Sequence, residues 1–189
     1  MSRISCIKRD NFTAAQKKLC ERITSGKRSK EGGYDSFFTE TGALRGPFNA
    51  YLHSPVIGEA AQRLGEAVRF KSSIPAKLRE IAILTVAENL KAQYEWWAHE
   101  RIGRQQGINE CVIRSLKAGE QPHFESPAEA SVFAFCQEML DKGRVSDLTY
   151  TGSVELLGES GVVELVILVG YYLLVAMILN VFEVPIPDG

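Results

Sequence analysis

Glu95 and His99 stand four residues apart in the stretch Ala92-Gln93-Tyr94-Glu95-Trp96-Trp97-Ala98-His99. On a helix that spacing brings both side chains to one face. A carboxylate one turn from an imidazole can orient the ring, fix its tautomer and raise its pKa. Such a pair suits general acid–base chemistry near neutral pH. Ala92, three residues before Glu95, shares the face and is small enough to leave room in front of the pair, whereas Gln93 points elsewhere. The same spacing also describes an ordinary surface ion pair, so both readings stand. Trp96 and Trp97 imply a helix that is packed or lines a pocket, and Trp96 is a candidate substrate contact. Tryptophans also serve simply as core or interface anchors.

Glu80 is the second point of interest. It sits among Leu78, Ile81, Ile83 and Leu84, where an unpaired carboxylate is costly. On one straight helix Glu80 and His99 would be roughly 28 Å apart at about 1.5 Å per residue. They can meet only if the chain turns, and Glu88-Asn89-Leu90-Lys91 is the place for it. The competing reading is a plain salt bridge from Glu80 to Arg79, Lys77 or another arginine. A third cluster runs from Arg45 to Pro55: Asn49 and His53 are four apart and can face one cavity, and Arg45 or Arg79 can receive a carboxylate. Hydrogen bonds from Asn49 and His53 to backbone groups are the structural alternative. His123, in the loop Gln121-Pro122-His123-Phe124, reads as an exposed residue without a role.

The elements that must position these residues read as helices throughout. A first amphipathic helix covers 11–25, with Asn11 or Thr13 as N-cap. Residues 26–45 form a long irregular segment with exposed-looking aromatics (Tyr34, Phe37, Phe38), and segments of that kind are often functional. Gly46-Pro47-Phe48 starts a short helix through His53, since proline suits a first helical turn. Ser54-Pro55 repeats the signal for a helix over 56–70. After the break at Ser73-Ile74-Pro75, Leu78, Ile81, Ala82, Leu84 and Ala87 mark a helix that begins near Ala76. Further helices cover 94–104, 109–118, 127–141, 147–158 and about 161–181, with Gly107 as a C-terminal cap. No alternating strand segment of useful length occurs, so the fold class is all-α. A weak echo between Arg79-Glu80-Ile81-Ala82-Ile83-Leu84 and Val163-Glu164-Leu165-Val166-Ile167-Leu168 points to a duplicated helical hairpin, with chance similarity as the alternative.

Composition removes several functions. A chain of 189 residues can bury a core without disulfide or metal staples. With 22 basic and 23 acidic residues there is no basic excess, which argues against a nucleic-acid partner. The cluster Lys27-Arg28-Ser29-Lys30 lies beside glycines and reads as an exposed loop. Cys6, Cys20, Cys111 and Cys136 form no CxxC pair, so no metal site and no thioredoxin-like centre is expected from their spacing. The start of the chain has no apolar stretch typical of a signal peptide, and reduced thiols in a cytoplasmic protein are expected. The uncharged run from Leu165 to Leu179 has 15 residues, short of the roughly 20 needed to cross a bilayer. A buried helix is therefore expected and a membrane partner is not.

Pro75-Ala76-Lys77-Leu78-Arg79-Glu80-Ile81-Ala82-Ile83-Leu84, followed by Gln93 to His99, resembles the carboxymuconolactone decarboxylase family of the AhpD-like superfamily. The likeness covers most of 42–189, which separates an N-terminal helix and irregular segment (1–40) from a helical domain over 41–189, one globular domain overall. AhpD-type peroxidases carry Glu, eleven residues, Cys, two residues, Cys, three residues and His. Here Glu80, Ala92, Glu95 and His99 keep the frame, but both cysteine positions hold other residues. Disulfide chemistry needs a nucleophilic thiolate and a resolving thiol, so no thiol peroxidase activity is expected. Glu in place of the second cysteine resembles the decarboxylase branch.

That resemblance implies an AhpD-like helical bundle assembling into a homo-oligomer, a trimer or hexamer. It also implies a lyase without cofactor or metal, acting on a small lactone or organic acid. His99 would be the donor or proton shuttle, oriented by Glu95 and supported by Glu80. Arg45, Asn49, His53, Arg79 and Trp96 would line the substrate. Two alternatives keep the fold: another proton transfer (isomerase or hydrolase), or a non-catalytic ligand-binding oligomer.

Overall fold

The computed structural model describes residues 2–27 and 35–187. Of the basic cluster at 27–30 only Lys27 lies within them, and Tyr34 lies outside. Among the described residues there are eight α-helices and no strand. They are α1 Ala14–Ser25, α2 Phe48–His53, α3 Pro55–Phe70, α4 Ala76–Asn89, α5 Gln93–Gln105, α6 Glu110–Ala118, α7 Pro127–Lys142 and α8 Asp147–Val181. The all-α reading holds. Thr13 rather than Asn11 caps α1: its hydroxyl accepts from the Gln16 N–H while the Gln16 side chain accepts from the Thr13 N–H, a reciprocal box that satisfies two otherwise orphaned donors.

Two compact units make up the chain, one of residues 1–71 with 178–189 and the other of 72–177. The boundary near residue 40 read from the sequence falls inside the first. That unit is built around Phe12, Leu19, Cys20, Ile23, Phe37, Leu44, Tyr51 and Leu52. Phe37, which reads as exposed in sequence, is buried here: its segment folds back through a bridge between Phe38 and Leu44, and its ring packs 6.1 Å from that of Phe48. Gly58 of α3 lies so close to α2 that an added Cβ would come within 2.5 Å of the Tyr51 carbonyl oxygen. The N-terminal strand of chain is tied to the end of α8 by the Arg3 N–H and the Ser2 hydroxyl, both donating to the Phe182 carbonyl at 2.8 Å.

In the second unit α4 is the central element, packed against α5, α6 and α7. Every residue from Glu80 to Ala87 is buried, the pattern of a helix surrounded on all sides. Lys77 at its start pairs with the buried Glu129 of α7 at 2.5 Å. Glu164 of α8 accepts from the Ser73 N–H at 2.7 Å and from the Ser72 hydroxyl at 2.8 Å, which holds its carboxyl below the usual range.

α8 is two helices joined at Gly158, whose φ of 69° and ψ of 167° are not helical. The break expected between 158 and 161 is thus present. By length and composition α8 could cross a membrane, but half of its most apolar window is buried within the chain, as in a core helix. Val162, Leu165, Leu168, Val169, Tyr172 and Ala176 face inward, whereas Val163, Val166, Ile167, Leu174 and Met177 are exposed.

Candidate functional site

The reversal between α4 and α5 makes the site. Leu90 and Ala92 donate their N–H groups to the Val86 and Ala87 carbonyls at 3.0 and 2.8 Å. Lys91 between them takes a left-handed backbone with φ of 51°. The chain therefore turns where Glu88 to Lys91 marked the possibility, and α5 returns along α4. This brings the Glu80 carboxylate to His99: Nδ1 lies 2.7 Å from Glu80 Oε2, with both side chains buried. With Glu80 as acceptor the ring carries its proton on Nδ1.

The orienting bond expected of Glu95 is made by Glu80 instead. Glu95 does share the buried face with His99, and it is only 2% exposed. Neither of its carboxylate oxygens has a hydrogen-bond partner among the described residues. Desolvation by burial, reinforced by the charge of Glu80, pushes its carboxyl well above the usual carboxylate range. Its place in the first turn of α5 would favour the anion through the helix dipole, by about 0.3–1 kcal/mol. Loss of hydration outweighs that term, so the net shift is upward.

Tyr172 of α8 was not singled out in sequence, yet it packs edge-on against the His99 ring at 5.0 Å between centroids, and Tyr171 packs on it at 5.3 Å. The only signal was two adjacent tyrosines in an otherwise aliphatic run. Trp96 is buried, its Nε1 has no hydrogen-bond partner among the described residues, and the Lys117 ammonium lies 6.0 Å from its ring centre. Trp97 is 41% exposed. Ala92 is fully buried.

The remaining candidates are engaged by backbone. Arg79 donates to the Ile74 carbonyl, and Arg45 Nε to the Phe38 carbonyl at 2.6 Å. Asn49 donates to the Ser5 carbonyl and accepts from the Ile7 N–H, both at 3.0 Å. His53 Nε2 lies 2.9 Å from the Ser5 carbonyl. Arg45, Asn49 and His53 thus pin the start of the chain within the first unit. Among the described residues no group of three or more His, Cys, Asp or Glu is placed to hold a metal ion. A 220 Å³ cleft at the end of α4, lined by Glu88, Lys91, Glu120 and Gln137, does not include Glu80, Glu95 or His99.

Chemically, the second unit offers a buried acceptor–imidazole pair and, one turn away on the same helix, a buried carboxyl with no hydrogen-bond partner among the described residues. The thiols are elsewhere: Cys6 and Cys111 are exposed, Cys20 is buried, and burial pushes the Cys136 thiol up to about 12.

Residues 55–138, which include Glu80, Glu95 and His99, match the carboxymuconolactone decarboxylase family. No curated protein matches the sequence. Solved structures share the fold. An AhpD-core, peroxidase-related protein from Ralstonia eutropha JMP134 is 14% identical with a TM-score of 0.79, over 99% of this chain and 93% of that one. The debrominase Bmp8 is 13% identical with a TM-score of 0.69, over 97% and 91%. ATU0492 from Agrobacterium tumefaciens, a protein of unknown function linked to AhpD-type antioxidant defence, is 15% identical with a TM-score of 0.64, over 75% and 97%.

Proposed function

From the match of residues 55–138 to the carboxymuconolactone decarboxylase family, we propose that this chain belongs to that family and is a cofactor-independent lyase acting on a small lactone or related organic acid. One observation carries the reading: the Glu80–His99 pair at 2.7 Å, buried inside the family-matched stretch. Decarboxylating a γ-carboxy lactone leaves the electron pair of the broken C–C bond spread through the lactone carbonyl as a dienolate. A donor aimed at that oxygen in a water-poor site lowers the barrier. His99 supplies it through Nε2 when the ring carries both protons, with Glu80 as its counter-ion. Trp96 forms a wall of the site and Arg79 holds the substrate carboxylate.

Proteins of this family are generally soluble, which supports a cytoplasmic protein with neither membrane nor nucleic-acid partner. The exposed apolar residues of α8 support a homo-oligomer, a trimer or hexamer. Ala92 and Glu95 at the positions of a redox pair argue against thiol peroxidase activity; rapid stoichiometric oxidation of a thiol pair by hydroperoxide would overturn this.

The test is CO₂ release from 4-carboxymuconolactone by the purified protein beside a His99→Ala variant. The expected loss is about 10²-fold or more; a change of less than a few-fold sinks the assignment. A second reading has the burial of Glu80, Glu95 and His99 on its side: a non-catalytic ligand-binding oligomer in which the pair is structural. In that case His99→Ala lowers stability and no turnover exists to lose.

A further inference from the structure

The reaction proposed above needs two groups, a donor at the carbonyl oxygen and a separate acid for carbon, but His99 has a single ring nitrogen left once Nδ1 is bonded to Glu80. Glu95 is the unused group. It lies one helical turn from His99 on the buried face, and both of its oxygens are without partners among the described residues. An orphaned buried carboxyl is costly, and the fold carries that cost with no hydrogen bond from a described residue to offset it. The charged and titratable groups around it are Glu80 from α4 and His99 from its own helix, with Tyr172 from α8 against the His99 ring. None of them is bonded to Glu95.

We propose that Glu95 is the catalytic acid of this site, and that its carboxyl gives a proton to a carbon of the dienolate left when CO₂ departs. The inference rests on the lyase reading for the identity of the substrate. As the C–C bond breaks, CO₂ leaves and its electron pair forms the dienolate, whose oxygen is held by His99. The Glu95 O–H bond then breaks, a C–H bond forms at carbon, and the dienolate collapses to the unsaturated lactone. Glu95 is left as a carboxylate close to Glu80, a pair of like charges in a poorly hydrated site, and it regains a proton from water before the next cycle. The net change is one carboxylate and one proton converted to CO₂ and the neutral-carbon product. A small anionic carbonyl acid fits this arrangement, because a neutral acid does not repel it as a second carboxylate would.

Two measurements on the full chain test the proposal. Infrared difference spectra at neutral pH between wild type and Glu95→Gln should contain the carbonyl stretch of a protonated carboxyl that the variant lacks; its absence overturns the proposal, whatever the substrate. With 4-carboxymuconolactone, Glu95→Gln should lower kcat about 10²-fold or more with KM within a few-fold, while Glu95→Asp, which keeps an acid, recovers a measurable part. Unchanged kcat in Glu95→Gln also overturns it. If wild type releases no CO₂, the lactone reading fails, and the infrared result alone then decides whether Glu95 is held as an acid.

Discussion

Glu80 sits in the most enclosed helix of the chain, and His99 is what makes that position tolerable. Breaking a buried pair by removing one partner typically costs about 3–5 kcal/mol. Glu80→Ala should therefore lose stability in that range in urea unfolding, and Glu80→Gln, which keeps an acceptor, should lose less. Glu95 adds a pH dependence. Its carboxyl titrates at a higher pH in the folded protein than the ordinary value of 4.5, so the folded state holds the extra proton between those two values. Stability is then full below the ordinary value and falls as pH rises through the folded one. Glu95→Gln should flatten that slope and melt later than wild type at alkaline pH. The Glu95–His99 spacing was legible because helical neighbours follow from counting. Which carboxylate takes Nδ1 was not, since the choice depends on a left-handed Lys91, a conformation that leaves no compositional mark when the residue is not glycine.

At the level of helices, one close approach and one glycine-only backbone conformation can be probed by adding one methyl group. Gly58→Ala would drive a Cβ into the Tyr51 carbonyl, and overpacking of this kind costs about 1–3 kcal/mol. Gly158→Ala would force an alanine into a backbone region that is essentially glycine-only, again about 1–3 kcal/mol. Both should lower the thermal midpoint, whereas Gly152→Ala, with open space around the new carbon, should not. Helix boundaries were readable because Pro47, Pro55, Pro75, Gly107 and Gly119 punctuate the chain. The reversal and the α8 break were anticipated from Glu88–Lys91 and Gly158–Gly161. Phe37 was misjudged because its burial comes from a fold-back onto Phe48, a tertiary contact that local hydropathy does not record.

On the scale of the whole molecule, the echo between 79–84 and 163–168 has a physical reading. Ile81 and Leu84 are buried, as are Leu165 and Leu168, but Ala82 and Ile83 are covered while Val166 and Ile167 are 41% and 43% exposed. The 163–168 segment keeps a bare flank where the 79–84 segment is covered. If a further subunit covers it, Val166→Lys with Met177→Lys should reduce the mass seen by light scattering to that of one chain. The two units also differ in when they can form. Glu80 and His99 are 19 residues apart, so their contact closes a short loop, and short loops close fast. The first unit joins Ser2 to Phe182, a separation of 180. During synthesis the acid–base pair can therefore be assembled before residue 182 has emerged, whereas the Ser2–Phe182 contact must wait for it. Pulsed hydrogen exchange on refolding chains should protect 76–105 before 14–25.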